Sequence, residues 1–214
     1  MRFNPQRFNR HLANIGQQLV WRQAYACSCV NIDSGAPDPS CKLCGKKGRI
    51  WVPDGIQTVC GAAGQKTQAE WANTSMWEAG DVVVTIPENS PMWDAGQFDR
   101  VVMLNATDRF SLPLKRGSPN DNLSLFSVKS VERVFWKHPK TQELIEGGIP
   151  TVSEKGVLSW VDREPPMGTS YSITGWQYSA YFVWGDFPSS RNEHSGMRLP
   201  KRVVLRRWDL LGRG

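Results

Sequence analysis

The feature of this sequence that most restricts its fold is a cluster of four cysteines in the N-terminal quarter of the chain. One residue separates the members of the first pair, two separate the second, and eleven lie between the pairs. Two close pairs can supply the four soft ligands of a tetrahedral metal ion, and the intervening loop is rich in turn-forming glycine and proline. The four candidate ligands are Cys27, Cys29, Cys41 and Cys44.

The redox environment decides whether such cysteines form bridges or hold a metal. Residues 1–20 contain no unbroken apolar core and no small-residue cleavage site, so we expect no secretion signal. The chain also lacks a run of about 18 apolar residues, and we expect no membrane span. Thiols in a cytoplasmic compartment stay reduced, and clustered ones more often hold metal there than form disulfides.

Zinc is the predicted metal, because four thiolates close a tetrahedral site and leave no open position for a substrate. An iron–sulfur cluster also suits four cysteines, and unliganded thiols are the remaining alternative. The fifth cysteine, Cys60, is expected to be a small core residue. The three histidines have no neighbouring ligand at metal-binding spacing, and we expect none to bind metal; they are His11, His138 and His194.

The rest of the chain predicts a mainly β protein, a β-barrel or sandwich body with an N-terminal helix and a zinc-ribbon-like insertion. Ten Trp, 19 Gly and 14 Pro favour short strands and many turns over a helix bundle. Apolar or alternating segments separated by turn residues are the strand candidates. They are residues 20–30, 48–55, 81–87, 98–104, 105–114, 122–136, 156–161, 164–184 and 200–211.

Three segments organise this β protein. Residues 1–26 are predicted as a helix over 5–19, with Phe8, Leu12, Ile15 and Leu19 on one face, and a lead-in strand. Residues 27–60 form the zinc-binding loop. Residues 61–214 form the barrel-like body, which begins with a loop over 61–74 and ends in a C-terminal arm. The arginine-rich strand "RVVLRRWDLLGRG" is that arm, or else an edge strand of its own barrel.

Composition and motifs favour a non-enzymatic role. The sequence contains no nucleophile elbow, no phosphate-binding loop and no zinc-protease motif. Asp33 and Asp38, within the cysteine loop, are expected to cap turns rather than act as a catalytic pair. The formal net charge of +6, from 26 Lys plus Arg and 20 Asp plus Glu, favours acidic neighbours such as nucleic acid. Four basic residues lie at the far end of the cysteine loop: Lys42, Lys46, Lys47 and Arg49.

Several motifs, in order along the chain, resemble those of neck proteins of tailed bacteriophages, small head–tail connectors of the adaptor, stopper or gateway type. The cysteine cluster is followed by Asp99 and Arg100 at the start of a strand. The turn and strand "PPMGTSYS" (165–172) come next, and "LPKRVVLRRWDL" (199–210) closes the series.

This resemblance implies a virion structural protein, assembled in the host cytoplasm, that forms a homo-oligomeric ring of β-barrel-like subunits. Its partners would be other neck, portal or tail proteins, and genomic DNA would pass through the ring without sequence-specific contacts. Head-to-tail contacts closed by rotation would build such a ring. The alternative function is a zinc-ribbon nucleic-acid-binding protein, suggested by the basic end of the cysteine loop.

Overall fold

The computed structural model describes residues 5–62, 64–124, 126–187, 192–194 and 196–211. The fold is mainly β with an N-terminal helix, as predicted. Two α-helices, α1 (Pro5–Ile15) and α2 (Gln65–Ala72), and two 3₁₀ helices, Pro91–Asp94 and Trp208–Leu210, accompany the strands. The strands are β1 (Gln17–Arg22), β2 (Ala24–Ala26), β3 (Arg49–Trp51), β4 (Ile56–Ala62), β5 (Val82–Ile86), β6 (Arg100–Lys115), β7 (Val128–Lys137), β8 (Leu144–Glu146), β9 (Thr151–Val152), β10 (Leu158–Ser159), β11 (Ser170–Asp186), β12 (Glu193–His194), β13 (Met197–Arg198) and β14 (Lys201–Arg207).

The described chain forms two compact units. The first contains the residues up to Asn105 and those from Ala180 onward, and the second contains 106–179. The long strands β6 and β11 contribute to both. This division differs from the three predicted segments because β1 and β4, which flank the cysteine loop, are both strands of the first unit. Turn-forming residues in the sequence indicate where the loop lies, but they do not reveal which distant strands pair with each other.

The first unit is a closed six-stranded barrel. Its strand order is β14-β5-β4-β1-β6-β11, and β11 pairs with β14 to complete the circle. Register places Leu19 opposite Thr58 and Met103, so one face of these strands points to a common interior. The buried interior residues are Leu19, Trp21, Cys60, Val84, Ile86, Val101, Met103, Val183, Val203 and Leu205. Burial of this apolar set is the main source of the barrel's stability.

Helix α1 ends four residues earlier than the predicted 5–19, because Gly16 stands where the chain must pass close to the barrel. A Cβ atom at Gly16 would lie 2.4 Å from the Leu12 carbonyl oxygen and 2.8 Å from that of Cys60. Leu19 therefore belongs to β1 and the barrel interior rather than to the helix face. Leu12 packs against Gly61 of β4, and Ile15 is 67% exposed. The helix thus packs on its own chain.

Residues 61–74 are not the predicted loop, because Gln65–Ala72 form helix α2. Trp71 is its one buried residue among those described, and it packs with Val83, Phe187 and Val204 on the outer face of β5 and β14. This cover explains why both strands are apolar on both faces. Helix α2 was missed because a single buried residue gives almost no helical periodicity.

The C-terminal strand is not the predicted arm. β14 pairs with β5 along Lys201–Leu205 and with β11 along Val203–Arg207, so both of its hydrogen-bonding edges are used inside the chain. Buried Arg206 donates from Nε and Nη2 to the Asp81 carboxylate at 3.1 and 3.0 Å, and its guanidinium lies 4.0 Å from the centre of the Trp184 ring. Residues 212–214 lie outside the described part of the chain.

The second unit is an antiparallel sheet with strand order β6-β11-β7-β8, accompanied by the hairpin β9–β10. Its buried core contains Phe110, Leu123, Val134, Trp136, Leu158, Tyr171 and Ile173. The predicted strand 122–136 begins only at Val128, and its register against β11 shifts twice, at Lys129 and Glu132. At each shift one extra residue of β7 faces β11, as in a β-bulge.

No α-helix among the described residues has the length and apolar character needed to cross a membrane.

Candidate metal centre

The cysteine cluster lies at the end of a long hairpin that extends from two neighbouring strands of the barrel. β1 and β4 pair in the barrel from Gln17 to Trp21, and the two arms then continue as β2 and β3. Between these stretches the Val52 N–H donates to the Gln23 carbonyl at 3.3 Å. "PDG" at residues 53–55 interrupts the returning strand, since proline lacks a ladder donor. Residues 24–51 are called the cysteine hairpin below.

The structure brings the four predicted ligands together. Their sulfur atoms all lie within 4.8 Å of one another, with Cys29 Sγ 3.5 Å from Cys44 Sγ and Cys27 Sγ 3.9 Å from Cys41 Sγ. Zinc–sulfur bonds of about 2.3 Å in a tetrahedron place sulfurs about 3.8 Å apart, so the cluster has the size of a mononuclear site. None of the four is in a disulfide. The described cysteines could therefore hold one metal ion.

Backbone conformation explains why these residues converge. Gly45, Lys46 and Gly48 all have positive φ, at 57°, 70° and 67°, and they wrap the chain tightly behind Cys44. The Cys27 N–H donates to the Gly48 carbonyl at 2.9 Å, which ties the two arms together beside the sulfurs. Glycine adopts this left-handed conformation without strain, and Lys46 is the one non-glycine residue of the turn that adopts it.

The loop between the cysteine pairs is held by its own side chains. Asn31 Oδ1 accepts the N–H groups of Asp33 and Ser34 at 2.8 and 2.9 Å. Asp38 Oδ1 accepts the N–H and the hydroxyl of Ser40, both at 2.7 Å, and these bonds lower the pKa of Asp38. Asp38 thus caps a turn, as expected. The turn after Asn31 leaves Ile32 98% exposed.

Electrostatics in the cluster favour a cation. Burial opposes ionisation of Cys44, but a backbone hydrogen bond from Gly48 and the three neighbouring thiols outweigh it and lower its pKa to about 7. Burial, together with side-chain hydrogen bonds to Cys27, Cys41 and Cys44, raises the pKa of Cys29 to about 12. A thiolate at one sulfur therefore opposes ionisation of the next. A bound metal cation would favour the ionised form of all four thiols, and its binding would release protons.

The sulfur spacing also bears on which metal fits. A polynuclear iron–sulfur cluster places several iron and sulfide atoms between its cysteines, and the thiolates must then stand further apart than they do here. A tetrahedral set of four thiolates suits a single zinc ion, with mononuclear iron as the other soft-ligand option. All four positions are supplied by protein. The arrangement can fold a loop but leaves no position for a substrate or an activated water.

The basic residues of the cysteine hairpin have two different environments. Lys42 and Lys46 are exposed. Lys47 is half-buried, with its ammonium 4.7 Å from the centre of the Trp208 ring, and burial followed by repulsion from Arg100 lowers its pKa. The Arg49 guanidinium lies 4.7 Å from the centre of the Phe98 ring. Two of the four cations therefore pack against the barrel.

The remaining candidate ligands stand apart from the cluster. Cys60 is fully buried in β4, where burial raises its pKa to about 12. His11 and His194 are exposed, and His138 Nδ1 accepts the N–H of Thr141 at 3.1 Å. Within the described ranges, the four cysteines form the single group of three or more potential metal ligands.

Sequence reasoning missed the residue that fixes the root of the cysteine hairpin. Asp99 is 3% exposed. Its Oδ1 accepts the N–H of Ala24 at 2.8 Å, at the point where the hairpin leaves the barrel, and its Oδ2 accepts Trp21 Nε1 and the N–H of Gly96 at 2.8 and 2.9 Å. The only sequence signal for this role was the position of Asp99 before a strand.

Comparison of the chain with models of known protein families gave no match, and comparison with curated proteins gave none either.

Proposed function

We propose that the four cysteines hold one structural zinc ion, which folds the cysteine hairpin into a stiff projection from the barrel. The supporting observation is the cluster of four sulfurs within 4.8 Å at the end of a hairpin with little apolar core. Metal coordination would supply the folding energy that side-chain burial cannot supply there. Because the protein fills every ligand position, this role is structural and the chain is not proposed to be an enzyme.

The exposed end of the hairpin suits contact with another protein. Ile32 is 98% exposed and Leu43, between the last two cysteines, is 69% exposed. Side chains on turns fixed by a metal ion lose little conformational freedom when they bind a partner. The entropic cost of binding is therefore small and the affinity is higher. A stiff apolar end is therefore what a subunit needs to engage a neighbour in an assembly.

We further propose that the chain is a virion structural protein of a tailed-bacteriophage neck, forming a homo-oligomeric ring between head and tail around the DNA channel. The observation that carries this proposal is the ordered set of motifs resembling neck proteins. Three of these motifs lie at structurally distinct places: the cysteine cluster ends the hairpin, Asp99 and Arg100 lie at its root, and residues 199–210 include the closing strand of the barrel.

The barrel constrains how such a ring would form. β14 uses both of its edges within the chain, so it cannot add to a neighbour's sheet. Subunits would instead meet through side-chain surfaces such as the end of the cysteine hairpin, repeated head to tail until the ring closes. Portal and tail proteins would occupy the two faces of the ring, and DNA would slide through it without sequence-specific contacts.

A zinc-ribbon nucleic-acid-binding function has less support. Lys47 packs against the Trp208 ring and Arg49 against the Phe98 ring. The exposed cations of the hairpin are therefore Lys42 and Lys46. Affinity for nucleic acid grows with the number of phosphates neutralised, and two lysines support only weak binding.

Electron microscopy and mass spectrometry of virions from the genome that encodes this chain test the neck proposal. We expect the chain in purified particles, and an antibody against it should label the head–tail junction. Its absence from particles would refute the neck assignment. Tight, salt-dependent DNA binding by the purified protein that is lost in a Lys42→Ala/Lys46→Ala double variant would support the nucleic-acid function instead.

A further inference from the structure

The C-terminal 3₁₀ helix is attached to the cysteine hairpin through one tryptophan. Trp208 is 6% exposed and has two cations close to its ring. The Lys47 ammonium is 4.7 Å from the centre of its ring, and the Arg100 guanidinium is 4.6 Å from it. Trp51, the last residue of β3, meets the same ring edge to face at 4.8 Å. The hairpin and the C-terminal segment therefore share an aromatic contact.

The two cations are held in place by different parts of the chain. Arg100 is a strand residue of the barrel, opposite Arg22 in β1. Lys47 belongs to the turn that follows Cys44, between Lys46 and Gly48 with their positive φ angles, and its N–H donates to the Cys44 carbonyl at 3.2 Å. The position of Lys47 thus depends on the conformation of the metal-binding turn, whereas that of Arg100 does not.

A metal ion is the element that would hold this turn. Without it, four thiols must be kept together by weak S–H contacts, and Lys46 must hold a positive φ of 70° that a residue with a Cβ atom adopts only with strain. When the turn loosens, Lys47 leaves the Trp208 ring. The cation–π attraction between the Lys47 ammonium and the Trp208 ring is then lost.

We propose that metal binding at the four cysteines and packing of Trp208 are thermodynamically coupled through Lys47. The proposal rests on the metal site proposed above. It adds that the packing of Trp208, in the C-terminal 3₁₀ helix, depends on whether that site holds a metal ion. Coupling between two equilibria is reciprocal. The free energy by which bound metal stabilises the packing of Trp208 therefore equals the free energy by which the Lys47–Trp208 contact stabilises metal binding. A partly buried cation–π contact corresponds to an affinity change of roughly 2- to 30-fold.

The first experiment compares the metal affinities of four full-length proteins: the wild type, Lys47→Met, Lys46→Met and Lys47→Arg. Cobalt(II) and zinc affinities are measured by competition with a chromophoric chelator. Lys47→Met and Lys46→Met are the matched pair. Both variants remove one positive charge beside the thiolates, but only Lys47→Met removes a contact with Trp208. We expect Lys47→Met to weaken binding roughly 2- to 30-fold relative to Lys46→Met, and Lys47→Arg to restore it.

The second experiment follows the wild type by NMR and uses a variant only to assign the Trp208 signal. In the ¹⁵N-labelled wild type, the indole N–H signal of Trp208, identified by its loss in Trp208→Phe, should shift or broaden when the metal is removed by chelation. The indole of Trp176, which donates to Glu132 at 2.7 Å in the second unit, serves as the reference signal. A Trp208 signal that does not move more than that of Trp176 would contradict the coupling.

The outcomes separate the coupling from the metal site. Equal metal affinities for Lys47→Met and Lys46→Met, in a wild type that binds metal, overturn the coupling alone. A wild type that binds no metal overturns the site and the coupling together. Weaker binding by Lys47→Met with a metal-sensitive Trp208 signal supports both.

Discussion

Replacing Asp99 by asparagine should destabilise the protein far more than the same change at an exposed aspartate. The Asp99 carboxylate accepts three hydrogen bonds, from Trp21, Ala24 and Gly96, in a setting that is 3% exposed. Asparagine keeps the shape but replaces one accepting oxygen with an NH₂ group. If its remaining oxygen faces Trp21 and Gly96, the Ala24 N–H meets another donor.

The size of the effect follows from that count. One buried donor left without an acceptor costs about 1–3 kcal/mol, and two hydrogen bonds lose the assistance of a charge, at about 1 kcal/mol each. The free energy of unfolding should therefore fall by about 3–5 kcal/mol for Asp99→Asn. Asp94→Asn is the matched control, because Asp94 forms an exposed ion pair with Arg198. It should change stability by less than about 1 kcal/mol.

Urea denaturation followed by circular dichroism measures both variants, and hydrogen exchange of peptides covering β2 locates the effect. Faster exchange in Asp99→Asn should begin where the cysteine hairpin leaves the barrel. If the two variants lose equal stability, or if exchange rises everywhere except at the hairpin root, the role assigned to Asp99 is wrong.

Three further predictions concern the hairpin and the barrel. Cys41→Ser should bind metal substoichiometrically, and its amide hydrogens should exchange rapidly across the hairpin. Those of the barrel should stay protected, because the barrel has its own apolar interior; rapid exchange throughout the chain would contradict this. Metal affinity should fall as pH falls, because protons compete for the thiolates, and the fall should steepen below about pH 7, where Cys44 also protonates. Chelator competition between pH 6 and pH 8 measures this, and a flat profile would count against thiolate ligation. Arg206→Met should cost about 3–5 kcal/mol in urea unfolding by leaving Asp81 buried without its ion pair, whereas exposed Arg207→Met should cost less than about 1 kcal/mol; equal losses would refute the difference.

The ligand set could be predicted from sequence because its signal is local. Spacing alone identified four cysteines whose sulfurs the structure brings within 4.8 Å, and the turn-forming residues around them pointed the same way. Strand positions such as Val82–Ile86 were equally accessible, since short apolar runs between turns favour strands.

Features that depend on distant pairing were not accessible in the same way. The alternating, arginine-rich segment at the C-terminus suits an arm, an edge strand or an inner strand, and only the partners β5 and β11 distinguish them. Leu19 continues the apolar spacing of helix α1, yet Gly16 ends the helix because of backbone approaching from Cys60, 44 positions later. The role of Asp99 likewise depends on donors contributed by β1 and by the root of the hairpin.

Native mass spectrometry of the purified, reduced protein is the most direct test of the zinc-stapled hairpin on which the proposals depend. Each 24.1 kDa subunit should carry the mass of one zinc ion, which should be lost on chelation and be present in only a fraction of the Cys41→Ser chains. A chain that carries no metal when kept reduced, or that carries the mass of an iron–sulfur cluster, would contradict the account.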